Sequence, residues 1–218
     1  MNNYTPNNYP AGCVNIALGK ILAYFEGPCS ISVNNWNIDW SAIKYAPSST
    51  SGRVSVGRLM QYLGCVCDSW YIPFGLGTFT LPSKAAAFLS NINYSGVSYS
   101  NYSHANVKAA LDAGCPVFVS AISCTGMLPD ITTSHAWNID GYKTRTIRRT
   151  DYYYENGQVV NTQTFYNYST LVHCAFGWHG LDDGYYSSGI FGFYSTALSK
   201  TVNFSVYLKT ITYNNPNN

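Results

Sequence analysis

Apolar residues at 14, 17, 18, 21, 22 and 25 follow the 3.6-residue period of a helix with one buried face. That run begins directly after Pro10-Ala11-Gly12-Cys13, so the pattern places Cys13 at a helix N-terminus. Gly27-Pro28 stops the helix, and Asn34 to Trp40 reads as a loop with two aromatic anchors, Trp36 and Trp40. Val56, Leu59, Met60 and Leu63 predict a second amphipathic helix ended by Gly64. A short strand from Cys65 to Tyr71 is expected next, then a loop rich in glycine and aromatic residues from Ile72 to Thr80. A third helix is expected from near Pro82-Ser83 to about Ile92. A fourth, with Val107, Ala110 and Leu111 on one side, ends at Gly114.

From Pro116 the texture changes. Val117 to Ile122 and Ser134 to Tyr142 predict strands, and Thr144–Glu155 and Gln158–Tyr168 flank Asn156-Gly157, a strong hairpin signal. Further strands are expected at Thr170–Phe176, around Tyr185-Tyr186, and at Val202–Tyr213. Helices gather in the first half and strands in the second, an α+β pattern. No repeat, linker or low-complexity run divides them. One domain over residues 1–218 is therefore expected, with a helical lobe at about 10–114, a sheet lobe at about 115–213, and a cleft between them.

Length and charge narrow the function classes. The 218 residues suffice for one good core. With 12 basic and 10 acidic side chains and a net charge of +2, the chain has no basic face for nucleic acid. No segment approaches 18 unbroken apolar residues, so no membrane span is expected. Asn, Ser, Thr, Gly and 20 tyrosines make the surface polar, which favours a place outside the cytoplasm. Met1-Asn2-Asn3-Tyr4 has neither the charged nor the apolar region of a secretory signal; with twelve residues ahead of Cys13, a mature fragment behind an added methionine is the favoured reading. Seven cysteines, at 13, 29, 65, 67, 115, 124 and 174, form no CxxC pair and no set with zinc spacing. Their odd total fits either one reactive thiol beside disulfides or a fully reduced set.

Candidate chemistry starts at Cys13. Unpaired N–H groups and the positive end of the macrodipole favour an anion at a helix start, so the thiol is expected to ionise more readily than free cysteine. Gly12 allows a tight backbone and close approach by another chain. The alternative is a small buried residue opening a core helix. Of the four histidines, His104 reads as a solvated first-turn residue. His135 shares a strand face with Trp137 and Ile139, so its imidazole stands among large apolar groups. A cysteine at a helix start and a histidine on a distant strand, on either side of a lobe boundary, form the thiolate–imidazolium arrangement of cysteine acyl transfer.

Three stretches in order carry a resemblance: Ala-Gly-Cys-Val with its apolar helix, Ser-His-Ala-Trp-Asn-Ile-Asp-Gly-Tyr, and Phe-Gly-Trp-His-Gly-Leu-Asp-Asp-Gly-Tyr-Tyr. Together they resemble the streptopain family of cysteine peptidases, over most of the chain from Gly12 to Tyr186. The resemblance implies a papain-like, two-lobed fold and a bacterial enzyme exported as a zymogen, secreted or held in the periplasm or at the cell surface. It also implies Cys13 as nucleophile, His135 as general base and acid, and Trp178 lining the active site. Ser134 occupies the position before the histidine, whose backbone can touch substrate. The family's Asn-Trp-Gly-Trp segment reads Ala175-Phe176-Gly177-Trp178 here, with His179 in place of the usual glycine. Either something other than a side-chain amide orients the histidine, or this member is slow.

An oxyanion hole needs donors. The N–H of Cys13 is one. Asn7, six positions before the cysteine where papain-like enzymes often carry glutamine, is a candidate second, against the reading of a polar N-terminal loop. The Phe74–Phe79 loop, with Gly75 and Gly77, is a candidate substrate-binding wall, against plain aromatic packing. Asp182-Asp183-Gly184 reads as a turn rather than a calcium site. No metal or organic cofactor is required, and the expected partners are a protein or peptide substrate and the chain's own propeptide or an inhibitor, with the enzyme a monomer. Two rivals remain: a peptidase-like binding module that has lost turnover, motivated by Ala175, Phe176 and His179, and a Cys/His enzyme of another substrate class, a cell-wall amidase or transglutaminase.

Overall fold

The structure is a computed structural model that describes residues 2–28, 31–33, 36–73, 77–125 and 128–216. Gly75 and Phe74 lie outside the described residues. Five α-helices occupy the first half of the chain, the last of them following the first strand of the main sheet: α1 (Cys13–Phe25), α2 (Trp40–Tyr45), α3 (Thr50–Val66), α4 (Pro82–Asn91) and α5 (His104–Asp112). Two small hairpins lie among them, β1–β2 (Ser32–Val33, Trp36–Asn37) and β3–β4 (Trp70–Ile72, Gly77–Phe79). The large antiparallel sheet is built from β5 (Ser98–Asn101), β6 (Val117–Thr125), β7 (Leu128–Glu155), β8 (Gln158–Ala175), β9 (Gly184–Ser187), β10 (Gly192–Ser195) and β11 (Lys200–Thr212). Its order is β10-β11-β6-β7-β8-β9, with β5 also pairing β11.

Helix α1 is central because its apolar face is complete. Val14, Ala17, Leu18, Ile21 and Leu22 are buried, and Leu59, Met60 and Leu63 of α3 are buried in the same core. That core continues without a break into Val117, Phe118 and Val119 of β6 and Trp137 and Ile139 of β7. Burying a side chain of this size contributes about 1.5–3 kcal/mol, so the contact that stabilises the molecule also sets α1 against the strands.

Several local expectations are corrected. Gly64 does not end the second helix: α3 runs on to Val66, and Gly64 is buried beneath the Tyr71 side chain, so its missing side chain makes room for a neighbour. Cys65 and Val66 are accordingly helical, and the strand begins only at Trp70. Trp36 and Trp40 are not paired anchors. Trp36 is exposed in β2, while Trp40 is buried and opens α2, where the Asp39 carboxylate accepts from the Ala42 N–H at 2.8 Å. The separate strands expected at 134–142 and 144–155 are one strand, β7, as are those at 158–168 and 170–176 in β8. β5 and β10, short and rich in serine and tyrosine, carry no alternating apolar pattern and were not expected.

Candidate active site

Cys13 is the first residue of α1, preceded by Gly12 at φ +90°. A Cβ on Gly12 would stand 3.1 Å from Thr78 Cβ, so the close approach expected there is made by β4. The Thr78 hydroxyl donates to the Pro10 carbonyl and clips β4 to the segment entering the helix. Buried Asn15, one half-turn on, donates to Ala11 O at 2.8 Å and to Ser69 Oγ at 2.9 Å, which lies 2.8 Å from Thr80 Oγ1. The start of α1 is thus held from several directions.

His135 lies on β7 opposite Ala121 of β6. Two bonds align the sheet with α1: Asn138 Nδ2 donates to Ala17 O at 2.9 Å, and Lys20 Nζ donates to Ala175 O at 3.4 Å. The Cys13 sulfur meets the backbone N–H of Ala136, next to the histidine. Cys13 and His135 line two cavities together.

The imidazole is buried, and its Nε2 lies 2.8 Å from Phe176 O. A carbonyl only accepts, so Nε2 carries the hydrogen and Nδ1 is left with the lone pair in the neutral ring. Trp178 stacks on the imidazole at 4.2 Å between centroids, and the rings of Phe176, Trp137 and Phe204 stand about it at 6.0–6.2 Å. Phe176 is itself fixed on its other side, where its N–H donates to Asp183 Oδ1 at 2.7 Å. The chain thus has no need of an asparagine at position 175: a main-chain carbonyl orients the histidine.

Electrostatics differ from the expectation of a thiol that ionises readily. Cys13 is half-buried, yet enough protein surrounds its sulfur for burial to push the thiol up, against the N–H groups of Ala136, Val14 and Cys13, which pull it down. Burial likewise pushes His135 down to about 4; the Phe176 bond opposes this and the Lys20 charge reinforces it. Desolvation disfavours the charged form of each, so burial favours a neutral thiol and a neutral imidazole in the unliganded cleft.

The larger cavity, about 630 Å³, is mostly apolar and is lined by Gly77, Phe79, Leu81, Ser134, Ala136 and Tyr207 besides the pair. Gly77 and Ser134 are therefore at the site; Gly75 lies outside the described residues. The smaller, about 370 Å³, is lined by Asn2, Gly12, Trp178 and His179. Asn7 is exposed at φ 51° and lines neither, because the short 3-10 turn at Pro6–Asn8 turns it outward. Asn2 stands at the cleft instead, with Oδ1 accepting from the Ala11 N–H at 3.2 Å, which leaves its amide N–H groups for another partner. A third hollow of about 610 Å³, by Ser95, Asn106 and Asn214, holds no cysteine, histidine or carboxylate. Among the described residues no group of three His, Cys, Asp or Glu is placed to hold a metal ion.

Sequence reasoning missed Asn2, Asn138, Asp183 and the Phe176 carbonyl. Asp183 was visible only as part of a turn, and nothing in that turn tells where its carboxylate points.

The chain resembles known proteins in sequence pattern and in fold. A family model described as Peptidase C10 matches residues 1–186. Among solved structures, active wild-type interpain A cysteine protease of Prevotella intermedia superposes with a TM-score of 0.68 at 20% identity, over 96% of this chain and 87% of that one. A prointerpain A fragment of the same organism gives 0.61 at 18% identity, over 99% of this chain and 68% of that one. No curated protein sequence matches. The helices and antiparallel strands thus combine as the α+β reading expected, in the arrangement of a cysteine protease that the resemblance implied. With residues 1–186 of its 218 matched, the chain belongs to the peptidase C10 family, the streptopain family of cysteine peptidases that its three motifs resemble.

Proposed function

We propose that Cys13 and His135 are the catalytic dyad of this cysteine peptidase and that its substrate is an internal peptide bond of an extended polypeptide. The observation that carries the assignment is the 2.8 Å contact of His135 Nε2 with the Phe176 carbonyl, because it leaves Nδ1 as the nitrogen free to exchange a proton with the cysteine. As the sulfur attacks the carbonyl carbon, its proton passes to Nδ1, forming imidazolium and a tetrahedral oxyanion. The imidazolium then gives that proton to the leaving amine as the C–N bond breaks. Water, deprotonated by the same nitrogen, attacks the thioester; the acid leaves and the thiol regains its proton.

The oxyanion takes the N–H of Cys13 and the carboxamide of Asn2, in place of the candidate Asn7. Trp178 covers the imidazole and excludes water from its bond to Phe176. Gly77, Phe79, Leu81 and Ser134 line the wall that receives an apolar side chain next to the scissile bond. Synthesis as an exported pro-form belongs to the same reading, and the likeness in fold to a prointerpain A fragment supports it. Hydrolysis of unfolded casein, compared with clearing of a peptidoglycan suspension, tests the substrate class. Casein fragments from the wild-type chain, none from Cys13→Ala, and an unchanged peptidoglycan suspension are expected; clearing without casein cleavage would overturn the peptidase reading in favour of a cell-wall amidase.

A further inference from the structure

Beyond Tyr142 on β7 and Thr170 on β8, the two strands leave the body as a two-stranded arm. Cross-strand pairs run from Lys143↔Leu171 to the turn at Asn156-Gly157, and β6 pairs with β7 only as far as Ile139 while β9 pairs with β8 only over 171–174. At about 3.4 Å per residue the arm extends roughly 40 Å. Both outer edges, near 143–155 and 158–169, carry backbone N–H and C=O groups with no neighbouring strand among the described residues. Ile147, Phe165, Tyr166 and Tyr168 are exposed on it. An isolated two-stranded ribbon is marginal in water, and open edges of this kind accept a further strand.

The charges say what kind of strand fits. The arm carries Lys143, Arg145, Arg148 and Arg149 against Asp151 and Glu155, an excess of two positive charges that equals the net charge of the whole chain. Arg149 is bonded to Asp151 at 2.7 and 2.9 Å, and Lys143 lies over the Tyr185 ring at 3.7 Å. No carboxylate among the described residues is within ion-pair range of Arg145 or Arg148. Arg148 stands beside Tyr166, and Thr146 beside Tyr168. The cationic half is the half nearest the body, on the strand that also carries His135; ten extended residues, about 30 Å, separate His135 from Arg145.

We propose that the arm is an exosite that binds an acidic, extended segment of the protein substrate as an added strand, outside the cleft. Backbone pairing along the open edge makes the binding tolerant of sequence, while Arg145 and Arg148 select for carboxylates. The dyad reading enters only in saying where the captured chain is delivered.

The test uses one cleavable fluorogenic core peptide in three forms: bare, with ten glutamates added, and with ten serines added, the tail placed at either end. At low salt the wild-type chain is expected to show a KM about fivefold lower for the glutamate form than for the serine form. That advantage should vanish in Arg145→Glu/Arg148→Glu and in the Gln/Gln version, with kinetics on the bare core unchanged. Binding of a labelled ten-glutamate peptide to Cys13→Ala, followed by anisotropy, tests the arm even if no core peptide is cleaved, so failure of the dyad reading and failure of the exosite are separable. Equal KM values for the two tails, an advantage that survives charge reversal, or anionic phospholipid vesicles binding more tightly than the peptide would overturn the proposal.

Discussion

His135 and Cys13 each lie where burial opposes charge. The histidine is pushed down to about 4, chiefly by burial, and burial also drives the thiol up. The sign follows for both groups: above about pH 4 the imidazole is neutral, and the thiol keeps its proton past its ordinary range. Alkylation of Cys13 by iodoacetamide in the substrate-free enzyme should therefore be slow at pH 5–7 and climb at alkaline pH, since only the thiolate reacts. A rate already on its plateau at pH 5 would mean that an ion pair is formed before substrate binds. The expectation from sequence pointed the other way, because a helix N-terminus is visible in the periodicity whereas the protein packed around the sulfur is not. Gly12 was legible for a simpler reason: a glycine directly before a helical cysteine has few other uses, and here Thr78 takes the space.

Elements carry these residues to one another, and the ties between elements were the part least legible. The start of α1 and the strand face shared by His135, Trp137 and Ile139 could be read from period alone. The end of β8 could not. Ala175 removes the side chain that would advertise an orienting role, and a main-chain carbonyl leaves no mark in a sequence. The Asp183 carboxylate, reaching back from the turn to the Phe176 N–H, makes that carbonyl a fixed rather than a wandering acceptor. Asp183→Ala should accordingly lower kcat about tenfold with KM little changed, by analogy with other losses of a positioning bond. Nitrogen NMR of His135 should at the same time show the Nε2–H tautomer losing its predominance. Asp183→Asn, which keeps an acceptor oxygen, should restore most of both. A fall in thermal stability with the tautomer and kcat intact would make Asp183 a structural residue only.

At the scale of the whole molecule, one core joins the helices to the large sheet, and the cleft opens where the start of α1 meets β7 and the end of β8. The α+β arrangement was legible because helical and strand periods segregate along the chain. The outer hairpin was legible too, as strands at 144–155 and 158–168 about Asn156-Gly157, but its unbroken continuation into the body strands was not, since an exposed arm mixing tyrosine, threonine and arginine has no buried face to impose alternation. Departures at Ala175, Phe176 and His179 suggested a lost activity, but the Phe176 carbonyl supplies an orienting bond and His179 lines the smaller cavity without closing it. The rival of a binding module that has lost turnover therefore has no structural motive left at position 175. The most direct measurement is mass mapping of all seven cysteines after treatment with a peptidyl chloromethane. A single adduct on Cys13, absent from His135→Ala and formed in step with the loss of casein cleavage, is expected. Label on another cysteine, or cleavage that continues once Cys13 is fully modified, would contradict the dyad.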